Sequence, residues 1–518
     1  MIDKNAAYNA LAARDPRFDG VFYVGVTSTG IYCRPICPVK TPMQKNCLFF
    51  ESAEAAEKAK FRPCLRCRPE LAPGAAPVDD AHRIAQLLAE RIEEGLTDDG
   101  ASLEDIAASF ELSSRQIRRI IRKELGITPI ELLQTRRLLL AKQLLTETKL
   151  PMTEIAFASG FSSLRRFNDA FLERYRMPPT RLRRLAIGVA DEIAATDTSV
   201  LQLSYRPPFD WEGTLAFLRT RMIKDVEHVT ENLYARTVRL RTHKGWIKVT
   251  HVPEKRALMV QFTHSLTPGL PVLLGHLRNL FDLSARPDLI NQQLKRDSHL
   301  KGSIAKHPGI RVPGAFDAFE MAVRALLGQQ ISVKAATTIA CRFADAFGAK
   351  ITTPFAELTR LTPQADIVAK ASVRDIAQLG TTGARAQSII SLARAYALGK
   401  IQLDSGMNPE AAIQKLTVLP GIGQWTAHYI AMRALRWPDA FPKEDIAVRN
   451  ALGGVSAREA ERLSEAWRPW RSYAVMHLWR FGSQKVRPLS RNAQDRTGAQ
   501  TELIRSRPSA THHSIHVG

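Results

Sequence analysis

Apolar and polar positions divide the chain into stretches of different period. In "SLEDIAASFELSSRQIRRIIRKELG", Leu103, Ile106, Ala107 and Phe110 recur at i, i+3, i+4 and i+7, the spacing of one apolar helix face. Ser113 and Ser114 then offer a cap for a second helix, which sets Ile117, Ile120 and Ile121 against Arg115, Gln116, Arg118 and Arg119. "MTEIAFASGFSSLRRFNDAFLERY" repeats the plan: Ile155 and Ala156, a turn at Gly160, then Arg165, Arg166, Asn168 and Asp169 alternating with Phe167 and Phe171. Two helical hairpins in tandem, joined by "TPIELLQTRRLLLAKQLL", are therefore expected. Further on, "TVRLRTHKGWIKVTHV" and "ALMVQFTHS" alternate with period two, as strands of an antiparallel sheet do. From about Asp317 to Phe481 the helical period returns. There "LTVLPGIGQWTAHYIAMRAL" reads as helix, tight turn, helix: Pro420 ends the first helix, and Gly421 and Gly423 allow a close hairpin. The second helix then starts with free amides that suit a phosphate. "LAPGAAPVDD" reads as a linker, and the segment after Phe481 has too little to bury to be ordered.

Composition narrows the function. A chain of 518 residues exceeds one core and suggests about three or four domains. Lys and Arg number 73 against 51 Asp and Glu, a formal charge of +22, so a polyanion is the natural partner and nucleic acid the first candidate. A basic ribosomal or membrane-surface protein is the alternative, but 45% hydrophobic residues argue for packed domains. No signal-peptide run and no 18-residue apolar stretch is present, which places the protein in the cytoplasm. Of six cysteines, four form two close pairs, while Cys47 and Cys341 stand alone; this suits a reducing compartment better than a disulfide framework.

The pairs are Cys33-x3-Cys37 and Cys64-x2-Cys67, four soft ligands from two short turns, as a closed tetrahedral Zn2+ site requires. Such a site either staples a small domain or presents a reactive thiolate, and spacing does not distinguish the two. "TSTGIYCRPICP" with "FRPCLRCRPE" resembles the N-terminal domain of the Ada adaptive-response proteins. The resemblance implies that Cys33 accepts a methyl group from a DNA methylphosphotriester while Cys37, Cys64 and Cys67 remain as ligands. Alkylating one of four thiolates moves the formal charge of the centre from about minus two to about minus one, which lowers repulsion from DNA and makes the event a switch. The tandem hairpins, closed by "YRMPPTRLRR", resemble the double helix-turn-helix domain of AraC-type regulators. Arg115, Gln116, Arg118, Arg119, Arg165, Arg166 and Asn168 then become candidates for groove and phosphate contact. Cys341, in "TIACRFADAF", lacks a Pro-Cys-His context, so no activity on O6-alkylguanine is expected.

The second half resembles the AlkA type of helix-hairpin-helix DNA glycosylase over about Leu201 to Phe481. "SYRPPFDWEGTLAFLRTR", "NLYARTV", "AFEMAVRALLGQQISV", "LPGIGQWTAHY" and "AWRPWRSYAVMHLW" match its segments in order. The resemblance implies Asp445, in "AFPKEDIAVRNAL", as the catalytic carboxylate and Trp425, Tyr429 and Trp479 as base-pocket aromatics. It also puts Gln330 at the position that wedges into the duplex, where relatives place an apolar residue, and Glu444 where a second Asp is common. Trp425 stands where lyase-type relatives carry their lysine, so a Schiff base is excluded and a monofunctional enzyme expected. Asp445 also fits a helix N-cap, and each aromatic fits a plain core.

These readings combine into a multidomain, mainly α protein. Its parts are a small α+β zinc domain over 1–73, an all-α tandem helix-turn-helix domain over 79–185, an α+β domain with an antiparallel sheet over 200–315, an all-α helix-hairpin-helix glycosylase domain over 316–483, and a basic disordered tail over 484–518. Expected partners are double-stranded DNA and RNA polymerase, with the protein acting as a monomer at the nucleoid. Two alternatives stay open: a regulator whose glycosylase half is a weakly catalytic scaffold, and a repair enzyme whose zinc site is structural.

Overall fold

The computed structural model describes residues 3–73, 104, 113–186, 197–403 and 408–485, with side chains to residue 480. Leu103, Ile106, Ala107 and Phe110, most of the linker and nearly all of the tail lie outside the described residues. No helix among the described residues is long and apolar enough to cross a membrane.

The N-terminal unit is built on a four-stranded sheet of order β3-β1-β2-β4. Strand β1 (Tyr23–Val26) pairs antiparallel with β2 (Ile31–Cys33) and β3 (Cys47–Phe50), whereas β4 (Arg62–Pro63) runs parallel to β2. That parallel pair explains how two distant cysteine turns meet. Ile31 faces Arg62 and Tyr32 faces Pro63, so Cys33 and Cys64 leave the sheet side by side at the same end. The Cys64 amide donates to Tyr32 O at 3.0 Å and fixes the register.

The helical block follows the predicted pattern. Helix Ser114–Glu124 starts with a capping box between Ser113 and Gln116, and its buried face is Ile117 and Ile121. Helix Leu164–Tyr175 buries Phe167, Phe171 and Tyr175. Between them, helix Pro129–Glu147 departs from a simple connector. Leu138, Leu139, Ala141, Lys142, Gln143, Leu144 and Leu145 are all buried, which a solvated amphipathic helix does not allow. The helix packs on three sides. Leu139 joins Tyr32 and Phe61 of the first unit, Leu138 and Leu144 join Phe167 and Phe171, and the same core continues into Leu201 and Leu203 of the second sheet.

That second sheet has five antiparallel strands in the order β5-β9-β8-β7-β6. The predicted strands are β7 (Leu233–Leu240), β8 (His243–Val252) and β9 (Ala257–Thr263), and the structure adds β5 (Thr198–Ser204) and β6 (Glu227–Val229). Helices resume at Leu270–Leu280, ahead of the periodic stretch that begins near Asp317. A separate large core runs through the C-terminal helices, from Phe319 to Leu478.

Lys142 is the most costly feature of the first interface. Its ammonium is 1% exposed and donates to Glu70 Oε2 at 2.5 Å and to Cys64 O at 3.0 Å. Replacing it by methionine leaves Glu70 Oε2 and Cys64 O without their buried donor, while Arg68 Nε still donates to Glu70 Oε1 at 3.1 Å, so the loss is about 1–3 kcal/mol. Urea unfolding of Lys142→Met is expected to show that loss in its midpoint, and a change below about 1 kcal/mol would contradict the burial.

Candidate active sites

The four cysteine sulfurs lie within 4.8 Å of one another and all four residues are buried. A tetrahedron of Zn–S bonds has S···S edges of about 3.8 Å, so the donor set and its spacing fit Zn2+ held by Cys33, Cys37, Cys64 and Cys67. Exposure does not single out one sulfur, since the four residues are 6%, 3%, 6% and 7% exposed in that order. Hydrogen bonding divides them into two pairs. Arg34 N–H donates to Cys67 Sγ at 3.3 Å and Arg66 N–H to Cys64 Sγ at 3.4 Å. Among the described residues no backbone amide donates to the sulfur of Cys33. Arg34 is itself buried, pairs through its guanidinium with the Asp19 carboxylate, and donates to Cys67 O at 3.1 Å. Cys47 is a core thiol bonded to Met43 O, as its isolation suggests, and Cys341 lies far along the chain against Lys224 and Met222.

The basic side chains of the hairpins are presented to solvent. Arg115, Arg118, Arg119, Arg165, Arg166 and Asn168 are all exposed. Gln116 is exposed too, but its Oε1 accepts from Ser113 N at 2.8 Å, so the side chain is partly spent on the cap. Helix propensity thus competes with DNA contact at that residue.

In the C-terminal half the hairpin joins helices Pro409–Thr417 and Gln424–Arg433. Gly421 sits at φ +76°, and a Cβ there would lie 2.1 Å from Ser388 Oγ, so both conformation and space demand glycine. Gly423 differs: it caps the second helix at φ −86° with open space around it, and no side chain covers the first-turn amides. The loop bearing Gln330 is fastened to this hairpin. Gln329 Nε2 donates to Gly421 O at 2.8 Å and to Thr426 Oγ1 at 2.9 Å, and Arg385 Nη2 holds Gln329 O at 2.8 Å. Gln330 itself is exposed at φ +57°.

Asp445 lies beside the hairpin and is 9% exposed. It caps helix Ile446–Ala451, Oδ1 accepting from Val448 N at 2.9 Å. Two indoles also reach it: Trp479 Nε1 donates to Oδ1 at 3.1 Å and Trp425 Nε1 to Oδ2 at 3.0 Å. Of about four acceptor positions on a carboxylate three are filled, and the open one belongs to Oδ2. The helix cap and both indole bonds therefore meet on one carboxylate. The neighbouring Glu444 has a buried Oε2 with no hydrogen-bond partner.

The aromatics form a ladder. Trp425 stacks on Tyr429 at 5.4 Å between centroids and 12°, and Tyr429 meets Trp479 at 6.1 Å and 45°. Phe217, from the sheet domain, extends it by lying parallel to Trp479 at 6.4 Å. A base sandwiched between two rings needs about 7 Å between their planes, two contacts of about 3.5 Å. Neighbouring rings of the ladder leave no such gap between them. Behind the ladder are Arg221, 3.8 Å from the Phe217 ring centre, and Arg433, whose Nη1 donates to the Tyr429 hydroxyl at 2.9 Å. Burial alone would push the Tyr429 hydroxyl up, but Arg433, Arg221 and Arg324 outweigh it and hold the hydroxyl below its ordinary range. Burial lowers the Arg433 and Arg221 guanidiniums.

Sequence reasoning brought together Asp445, Trp425, Tyr429 and Trp479 but not Phe217, Arg221 and Arg433. Arg433 follows Tyr429 by four residues on one helix face, a signal that was available. Phe217 and Arg221 come from a different domain; they lie in the matched segment "SYRPPFDWEGTLAFLRTR", but nothing within it places them beside Tyr429 and Trp479.

Family models match along the whole described chain: the metal binding domain of Ada at residues 6–70, a helix-turn-helix domain at 86–185, the AlkA N-terminal domain at 200–317, and the HhH-GPD superfamily of base excision DNA repair proteins at 323–472. A probable bifunctional transcriptional activator/DNA repair enzyme AlkA of Mycobacterium tuberculosis is 37% identical over 486 residues, 92% of this chain and 96% of that protein. DNA-3-methyladenine glycosylase 2 of Escherichia coli is 34% identical over 279 residues, covering 54% of this chain and 95% of its own length. A bifunctional transcriptional activator/DNA repair enzyme AdaA of Bacillus subtilis is 31% identical over 181 residues, 35% of this chain and 82% of the relative.

Proposed function

Since the chain belongs to the family of bifunctional transcriptional activator/DNA repair enzymes, we propose that it repairs alkylated DNA by two chemistries and reports the damage through its helix-turn-helix domain. In the N-terminal unit the Cys33 thiolate attacks the methyl carbon of a DNA methylphosphotriester. An S–C bond forms as the C–O bond breaks, and the electron pair leaves on the phosphodiester oxygen. When bound, Zn2+ keeps the four thiols deprotonated at neutral pH and so supplies the thiolate. Cys64 and Cys67 are disfavoured as acceptors because each sulfur accepts an amide hydrogen bond that draws charge from it, and of the remaining two the match to the metal binding domain of Ada favours Cys33. The product thioether carries no charge, so the cluster loses one negative unit and meets DNA phosphate with less repulsion.

In the C-terminal half, the observation that carries the reading is the buried Asp445 carboxylate, pinned by two indole N–H groups beside a hairpin with uncapped amides. An alkylated purine such as 3-methyladenine is a cationic leaving group, so its N-glycosidic bond breaks without prior protonation and the base departs neutral. Asp445 stabilises the oxocarbenium-like sugar and orients the water whose hydroxyl joins C1′ as its proton passes to the carboxylate and on to solvent. Trp425, Tyr429 and Trp479 offer π-faces that favour an electron-poor base over a normal one. Gly421 and Gly423 bring backbone amides to phosphate, Gln330 fills the gap left by the extruded base, and Arg115, Gln116, Arg118, Arg119, Arg165, Arg166 and Asn168 grip the regulated site. Contact with RNA polymerase, action as a monomer and residence in the cytoplasm at the nucleoid complete the proposal.

The test is release of free 3-methyladenine from methylated duplex DNA by the whole protein. Release with multiple turnovers is expected, and a wild-type protein that binds the duplex but frees no base would reduce the second half to a DNA-binding scaffold.

A further inference from the structure

The described contacts join the two halves more closely than a linker would. Arg206 is 1% exposed and lies between them. Its Nε donates to Asp19 O at 2.9 Å and its Nη2 to Pro73 O at 3.2 Å, both in the N-terminal unit, while Nη1 donates to Ser284 O at 2.6 Å in the C-terminal half. A buried guanidinium is costly unless its donors are filled, and here carbonyls from both halves fill them. Asp19 serves two masters: its carbonyl takes Arg206 while its carboxylate takes Arg34, the residue next to Cys33. On the other side, Arg311 donates to Arg206 O at 2.6 Å. Tyr473 bonds to Asp282 at 2.7 Å from the helix that also carries Trp479. A second bridge is helix Pro129–Glu147, where Lys142 holds Cys64 O and Gln143 Nε2 donates to Gln202 O at 2.9 Å. Gly20 leaves room for the contact. It has φ +73°, and a Cβ would lie 1.9 Å from Pro73 O and 3.3 Å from Arg206 Nη2.

We propose that Arg206 latches the zinc domain to the glycosylase half as one rigid body, so that methyl capture at Cys33 tightens the glycosylase's grip on DNA. This rests on the proposed function. Two DNA-binding surfaces on one rigid body raise each other's effective concentration, so a gain in phosphate attraction at the cysteine cluster appears as affinity at the glycosylase. The change falls on binding, because Asp445 and its indoles keep their geometry.

The experiment compares full-length protein before and after reaction with a duplex carrying one methylphosphotriester, using release of 3-methyladenine from a separate methylated duplex. The half-saturating DNA concentration is expected to fall about fivefold or more after methyl transfer, with kcat changed less than about twofold. In Arg206→Met and in Gly20→Ala, which crowds Pro73 O and Arg206 Nη2, the shift is expected to fall to less than half its wild-type size, the second bridge carrying the remainder, while both separate activities persist. Arg206→Lys, which keeps the charge but cannot reach three carbonyls together, should retain part of it. No base release by the wild type would overturn the glycosylase reading and the inference with it. Release with the same half-saturating concentration in both states, or a shift undiminished in both latch variants, would overturn the inference alone.

Discussion

Asp445→Asn is expected to slow release of 3-methyladenine by about 10²–10³-fold while duplex binding stays near the wild-type value. The substitution removes the negative charge that faces the developing sugar cation and changes little else. Asparagine is as good an N-cap as aspartate, so helix Ile446–Ala451 keeps its start through Val448 N. The indoles sense the difference. With the amide oxygen placed toward Val448 and Trp479, the NH2 group faces the Trp425 N–H, donor against donor, and one hydrogen bond of about 1 kcal/mol is lost. That is small beside the roughly 3–4 kcal/mol of the rate effect. Single-turnover release and fluorescence anisotropy on the same duplex separate the two terms. Equal rates for mutant and wild type would remove Asp445 from the chemistry and leave it as a cap.

How much of this was legible beforehand depends on how local each signal is. The 3.6-residue period around Ile117 and Phe167, the alternation in β7 to β9 and the two cysteine pairs are local, and the structure shows each as a helix, strand or cluster. Asp445 was legible twice over, as cap and as carboxylate, because its nearest partners lie in "KEDIAV" and in the hairpin segment already singled out. Buried cations were not. Lys142 reads as one more solvated charge on a helix, yet its partner Glu70 is 72 residues away. Arg206 reaches Asp19 across 187 residues. Nothing within a helical turn of either records such a partner, and composition assigns both to the surface. The same limit hid the shared core. The joining segment "TPIELLQTRRLLLAKQLL" carries no mark of its neighbours, yet the faces of helix Pro129–Glu147 are covered by three separate parts of the chain. At Gln116 a local capping box takes up the side-chain oxygen, and its amide nitrogen stays on the exposed helix face.

Cys33→Ser is expected to abolish transfer of a labelled methyl group from methylphosphotriester DNA, whereas Cys37→Ser should retain measurable transfer. The difference follows from the sulfur environments and the family likeness together. A hydrogen bond to a charged group contributes about 1.5–3 kcal/mol, and it stabilises a thiolate at the expense of its nucleophilicity. At about 1.4 kcal/mol per factor of ten, a sulfur that keeps such a bond attacks roughly tenfold to a hundredfold more slowly than one without it. Cys64 and Cys67 accept from Arg66 and Arg34, so the advantage falls to Cys33 and Cys37, and the likeness to the metal binding domain of Ada selects Cys33 of the two. Both serine variants lose one thiolate from the cluster, so metal content measured with a chromophoric chelator serves as the internal control. If zinc is retained in both and only Cys33→Ser fails to take up label, loss of the nucleophile and not of the fold is responsible. Label in Cys33→Ser with none in Cys37→Ser would move the acceptor to Cys37. A salt titration extends the test to the switch itself. Methylated wild type carries one negative charge fewer at the cluster and should bind duplex more tightly than unreacted protein at low salt, with the gap closing as salt rises. Cys33→Ser should show one binding curve whether or not it has met methylated DNA.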